Sequence, residues 1–174
     1  MSRQIGPDPV EPEDHVERRR AQWRAELPDV DTRGMAILGR ARWITLKVRP
    51  AIEAVFARHD LDAGEFDVLS TLRRSGPPYR LRPTELFTQL MISSGGLTNR
   101  LIRLQRAGLI ERPASDADGR SLPVQLTALG RETVEDAFRE DMAVEARLLK
   151  GLSEAELKEL ARLLAKLAEG MDGG

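Results

Sequence analysis

The chain has no cysteine among its 174 residues and only two histidines, His15 and His59. That removes disulfides, thiolate metal sites, cysteine nucleophiles and thiol redox sensing, and it leaves too few imidazoles for a zinc site. Aromatics are scarce as well, with four Phe, two Trp and one Tyr, so stacking platforms of the kind that grip single strands are not expected. No apolar run reaches membrane-spanning length, and the N-terminal MSRQIGPDPVEPEDHVERRR lacks an apolar signal core. The expectation is a soluble, cytoplasmic protein with no cofactor, no metal and no membrane attachment. Nor is there a phosphate-cradling loop or a nucleophile–base pair, which argues against an enzyme.

What is present is charge sorted along the chain. The formal net charge is only −1, yet residues 73–130 hold nine basic and four acidic side chains. Residues 1–72 hold 11 and 13, and residues 131–174 hold 7 and 11. A basic middle between acidic ends fits a local polyanion-binding surface, though a solvated face with no partner would carry the same charge.

Residues 1–9 bear Pro and Gly and read as a disordered tail. EPEDHVERRRAQWRAEL, 11–27, reads as a short charged helix with one large apolar residue, Trp23. Residues 34–58 are apolar at helical spacing, and Pro50 is expected to kink or split that helix. Asp62 and Glu65 form a capping-box pattern that starts a helix to about Arg74. RPTELFTQL is a short helix with Pro83 at its first position. Two strand-like runs, LIER and LPVQL, flank the polar loop PASDADGRS. Thr127 caps a long helix over 128–149, and Ser153 with Glu156 opens another to about 169.

The basic charge concentrates in SSGGLTNRLIRLQRAGLIER, residues 93–112. On a helical wheel Leu97, Leu101, Leu104 and Gly108 share one stripe, while Asn99, Arg103 and Arg106 lie opposite. An amide and two guanidinium groups on an outer face suit adenine edges, guanine edges and phosphates. The helix over 83–90 precedes it by a tight connection, making a helix-turn-helix. Ser93, Ser94 and Gly95 then sit where a second helix approaches the groove, with Thr98 on its first turn. The strand pair that follows describes a wing, with Arg120 near its tip to enter a minor groove and Asp118 to orient it.

These pieces resemble the MarR family of winged-helix transcription regulators. The likeness spans about residues 34–168, and Asp118-Gly119-Arg120, Val124-Gln125-Leu126-Thr127 and Gly130-Arg131 match that family's wing and the helix after it. The resemblance implies a mainly α fold with a small β-hairpin wing: a winged helix-turn-helix flanked by N- and C-terminal dimerisation helices. It divides a single domain, 1–174, into dimerisation helices at 10–60 and 127–170 and a DNA-binding lobe at 61–126. It also implies a homodimer on a palindromic operator of double-stranded DNA, acting as a repressor. The recognition helices of such a dimer lie about one DNA turn apart, roughly 34 Å.

The added N-terminal helix, with AQWRAELPDVD and LDAGEFDVLSTLRRSGPPYRLRPTEL, is similar to the urate-responsive, PecS-type branch. That likeness implies a ligand site of Trp23, Asp67, Arg100 and Arg112, with two guanidinium groups clamping a small anionic ligand such as urate or a related purine. Arg100 lies about 60° from Leu97 on the wheel, so it can face a pocket rather than DNA. Arg82 replaces the usual Ser or Thr before Pro83, and Ile102 and Gln105 stand where relatives often carry acids. A winged-helix dimer that binds protein, without a small ligand, is the rival reading; an exposed apolar patch at Ile102 is its only hint.

Overall fold

The computed structural model describes residues 14–90, 96–113 and 122–172. The chain forms two compact units, Met1–Arg49 and Pro50–Gly174. In the first unit, α1 (His15–Glu26) starts where the Asp14 carboxylate accepts from the amides of Val16 and Glu17, at 3.0 and 3.1 Å. A π-helical turn (Met35–Gly39) leads into α2 (Arg40–Arg58). Val16 is buried against Gly39, where an added Cβ would lie 3.2 Å from its Cγ1. Arg40 bonds back to Asp14, and Trp43 sits between His15, 5.2 Å between ring centroids, and the Lys47 ammonium at 4.7 Å.

Of the kink or split expected at Pro50, the split does not occur: α2 runs through it, and an irregular turn falls at 35–39. Proline withholds one amide, which would otherwise bond the carbonyl of Leu46. Leu46 is exposed, so water can satisfy that carbonyl.

The second unit holds α3 (Ala63–Arg74), β1 (Arg80–Leu81), α4 (Pro83–Gln89), α5 (Leu97–Arg106), β2 (Ile110–Glu111), β3 (Val124–Leu126), α6 (Ala128–Leu148) and α7 (Glu154–Asp172). The Asp62–Glu65 capping box is formed in both directions, at 2.8 and 2.9 Å. The core gathers Val55 and Phe56 of α2, Val68, Leu69 and Leu72 of α3, Leu86 of α4 and the α5 leucines under β2 and β3.

The sheet has three antiparallel strands in the order β1-β3-β2, with Arg80 opposite Gln125 and Ile110 opposite Leu126. The sequence suggested only the β2–β3 pair. The third strand, β1, is two residues long and ends two residues before Pro83, too short for an alternating pattern to register. With that addition, the expected architecture stands: mainly helical, with a small antiparallel sheet beside a helix-turn-helix.

Candidate functional site: a nucleic-acid interface and the helix behind it

Helix α5 begins at Gly96, whose φ of +78° is a left-handed conformation that a side chain would strain. It buries Leu97, Leu101 and Leu104 and exposes Thr98, Asn99, Gln105 and Arg106. Asn99, Arg103 and Arg106, the residues expected on the outer face, are all exposed. Beside it, Pro83, Thr84, Phe87 and Thr88 of α4 and Gly96 to Asn99 line an open cleft of about 600 Å³. Phe87 is exposed there.

The far end of α5 closes in a Schellman motif. Gly108, at φ +72°, donates to the Gln105 carbonyl at 3.0 Å, and Leu109 donates to the Leu104 carbonyl at 3.0 Å. Thr127 then locks this end to α6. Its hydroxyl donates to the Gly108 carbonyl at 2.7 Å and accepts from the Gly130 amide at 2.9 Å. Its own amide donates to the Leu109 carbonyl at 3.1 Å. A Cβ on Gly130 would lie 1.9 Å from the Leu109 carbonyl oxygen. The Thr127…Gly130 pattern is thus the joint between recognition helix, wing strand and α6.

Arg103 is exposed on the side opposite the leucines, as the wheel predicts, but it is tethered. Instead of projecting freely beside Asn99 and Arg106, it donates from Nε to Glu65 at 2.7 Å and from Nη2 to Asp62 at 2.5 Å. Its hydrogen bond to Glu65, then the Glu65 charge, raises the guanidinium's pKa further. The capping acids of α3, legible as a cap, double as the tether of α5. Their second role leaves no mark in the sequence because it depends on two helices meeting.

Arg100 also folds back onto α3. A Cβ on Gly64 would lie 2.2 Å from Arg100 Nε and 2.5 Å from Cζ, so the missing side chain makes room for the guanidinium. Gly64 is one helical turn from Asp67, which is buried and has the Arg74 Nη2 at 4.0 Å. A glycine in the first turn of a capped helix was the sequence signal for this platform. Arg112 follows β2 directly and is half-buried. Trp23 belongs to the first unit, on α1, with half its surface exposed. Ser93, Ser94, Gly95, Asp118 and Arg120 lie outside the described residues. At α4, Arg82 makes no side-chain cap, as expected, while Glu85 accepts from the Arg82 amide at 2.7 Å. Ile102 is exposed as expected.

Among the described residues there is no cluster of side chains able to hold a metal ion, and no helix is long and apolar enough to cross a membrane. Residues 59–121 match the MarR family profile. The HTH-type transcriptional regulator PecS of Dickeya dadantii is 38% identical over 146 residues, which are 84% of this chain and 88% of that protein. The HTH-type transcriptional repressor Rv2887 of Mycobacterium tuberculosis is 34% identical over 120 residues, 69% of this chain and 84% of that one. In three dimensions a mutant MarR from E. coli complexed with operator DNA matches with a TM-score of 0.66 and 28% identity, covering 79% of this chain and 99% of that one. The PecS likeness, over 84% of this chain and 88% of that protein, makes this chain a member of the MarR family, a PecS-type helix-turn-helix transcriptional regulator and not an enzyme.

Proposed function

We propose that this protein is a sequence-specific repressor that binds a palindromic operator as a homodimer and is released by a small anionic ligand. One observation carries the DNA reading: α5 turns its leucines inward and offers Thr98, Asn99 and Arg106 on an exposed face after a helix-turn-helix. In this reading Asn99 and Arg106 meet base edges or phosphates. Ser93, Ser94 and Gly95 approach the backbone, Asp118 orients Arg120, and Arg120 enters the minor groove from the wing. Arg103 joins them when it leaves its acids on α3. A structural relative solved in complex with operator DNA supports the DNA reading. Fluorescence anisotropy against the DNA upstream of its own gene is expected to show tight binding that falls steeply with salt. Arg106→Ala and Arg120→Ala are each expected to weaken it, and equal affinity for scrambled DNA would remove the proposal.

For the ligand, the supporting observation is Arg100, seated over Gly64 one turn from buried Asp67 rather than pointing outward. An anion that draws Arg100 and Arg112 away from α3, with Trp23 contributing its indole, would reorient α5 and change DNA affinity. Urate or a related purine has the flat, anionic shape for this. Such a ligand is expected to raise the melting temperature and release DNA, with both effects lost in Arg112→Ala and Trp23→Ala. Intact protein that responds to no purine would exclude that class of ligand.

A further inference from the structure

Arg103 and Arg106 leave the same outer side of α5 but meet different surroundings. Arg106 is exposed and forms no ion pair among the described residues. Arg103 lies between two carboxylates, with Nε 2.7 Å from Glu65 and Nη2 2.5 Å from Asp62. Those acids are themselves fixed. Asp62 Oδ1 accepts from the Glu65 amide and Glu65 Oε2 accepts from the Asp62 amide, so one oxygen of each closes the capping box of α3. The other oxygen of each, Asp62 Oδ2 and Glu65 Oε1, takes Arg103. The receptor for the guanidinium is therefore built by the cap and does not depend on Arg103 to form.

Helix α3 is capped without this arginine, so the cap alone does not account for the contact. The side chain of Glu65 is 10% exposed and that of Arg103 54%. The inner bond is thus shielded from salt, while the guanidinium stays within reach of an incoming group. Taken together, Asp62, Glu65 and Arg103 carry two negative charges and one positive, a formal −1 on the flank of a helix that is otherwise basic. A phosphate meeting this flank has to displace two carboxylates before it gains a cation. Every DNA sequence offers the same phosphates, so a cation open to them strengthens binding to all DNA and carries no discrimination.

We propose that Asp62 and Glu65 form a latch that withholds Arg103 from the phosphates of non-cognate DNA and so sets specificity without touching DNA. The inference rests on the DNA reading of the proposed function and not on its ligand reading. At the operator, base contacts from Asn99 and Arg106 hold α5 close, and a phosphate displaces the two acids. On other sequences those contacts are missing, the latch stays closed, and each protomer binds through one cation fewer. Specificity here comes from a contact denied to the wrong partner.

Asp62→Asn combined with Glu65→Gln removes both charges while leaving side chains that cap a helix. Anisotropy titrations over a salt series compare the DNA upstream of the protein's own gene with a scrambled version of equal length. In the double variant, affinity for scrambled DNA is expected to rise on the order of ten-fold, with a salt slope steeper by about 0.9 for each protomer. Operator affinity is expected to rise less, so discrimination falls. Asp62→Asn alone, which leaves buried Glu65 intact, is expected to give the same changes in smaller measure. Removing two acids near DNA also strengthens binding through the general field, so the same pair is made in an Arg103→Gln background, where most of the effect is expected to disappear. A parent that binds both DNAs alike overturns the DNA reading and the latch together. A parent that discriminates overturns the latch alone if both variants discriminate as sharply, or if the effect keeps its full size without Arg103.

Discussion

Gly64 shows how much a single residue can set. Its missing side chain is the seat of the Arg100 guanidinium. Gly64→Ala supplies a better helix former, worth about 1 kcal/mol in an exposed helix, but puts a methyl where Nε now sits. Because the displaced group is the end of a flexible side chain, the fold is expected to survive. Circular dichroism and melting should change little, while the purine response of the proposed function should be lost; a variant that responds normally would detach Arg100 from that response. Asp141 carries the opposite kind of prediction, one of pH. Asp14, Glu135 and Glu140 have pKa values lowered chiefly by arginine hydrogen bonds. Their stabilisation is present above the ordinary carboxylate range and is lost as pH falls below it. Asp141 is raised by burial, so its charged form opposes folding above its raised pKa, and that cost is relieved by acid. Asp141→Asn is therefore expected to be more stable than the parent at neutral pH, by about 1 kcal/mol. Urea denaturation across pH should show the difference shrinking on acidification, whereas a constant difference would mean that the carboxylate's charge is not the cause.

At the scale of elements, α5 is held at both ends by its neighbours. Asp62 and Glu65 of the α3 cap take Arg103, and Thr127 with Gly130 joins its last turn to α6. The two members of the second joint are not equal. Thr127→Ala removes a helix cap and a side-chain hydrogen bond and is expected to cost about 1 kcal/mol. Gly130→Ala places a Cβ 1.9 Å from a backbone oxygen, which cannot swing aside as a side-chain tip can. The strand or the helix must shift, and a loss of about 3 kcal/mol is expected. Chemical denaturation of the two variants ranks them directly, and a milder Gly130→Ala would show that the joint yields.

For the whole molecule, the apolar surface left uncovered is the informative quantity. Among its described residues helix α7 buries none fully, and it exposes Leu160, Leu163, Leu164 and Leu167. In the first unit Ile37, Leu38, Ile44 and Leu46 are exposed as well. A soluble monomer seldom leaves such stripes open, and the homodimer of the proposed function would cover them. Leu160→Glu combined with Leu164→Glu is expected to convert the protein to monomers in analytical ultracentrifugation. Operator affinity should fall on the order of a hundred-fold, because two linked half-sites become two independent ones. A variant that stays dimeric would place the interface elsewhere.

Much of this was legible in the residues themselves. The capping pairs at Asp62 and Ser153, the Thr127 cap and the leucine stripe of α5 all formed where their spacing predicts, because caps and amphipathic faces depend on neighbours a turn away. Asp141 left a trace too, as an acid on the stripe of Val134, Ala137 and Val144. Beyond the sequence lay everything that needed two distant elements to meet: β1 in the sheet, Arg103 on the α3 cap and Arg100 on Gly64. Local periodicity determines which face of a helix turns inward, and only tertiary packing decides which partner waits there.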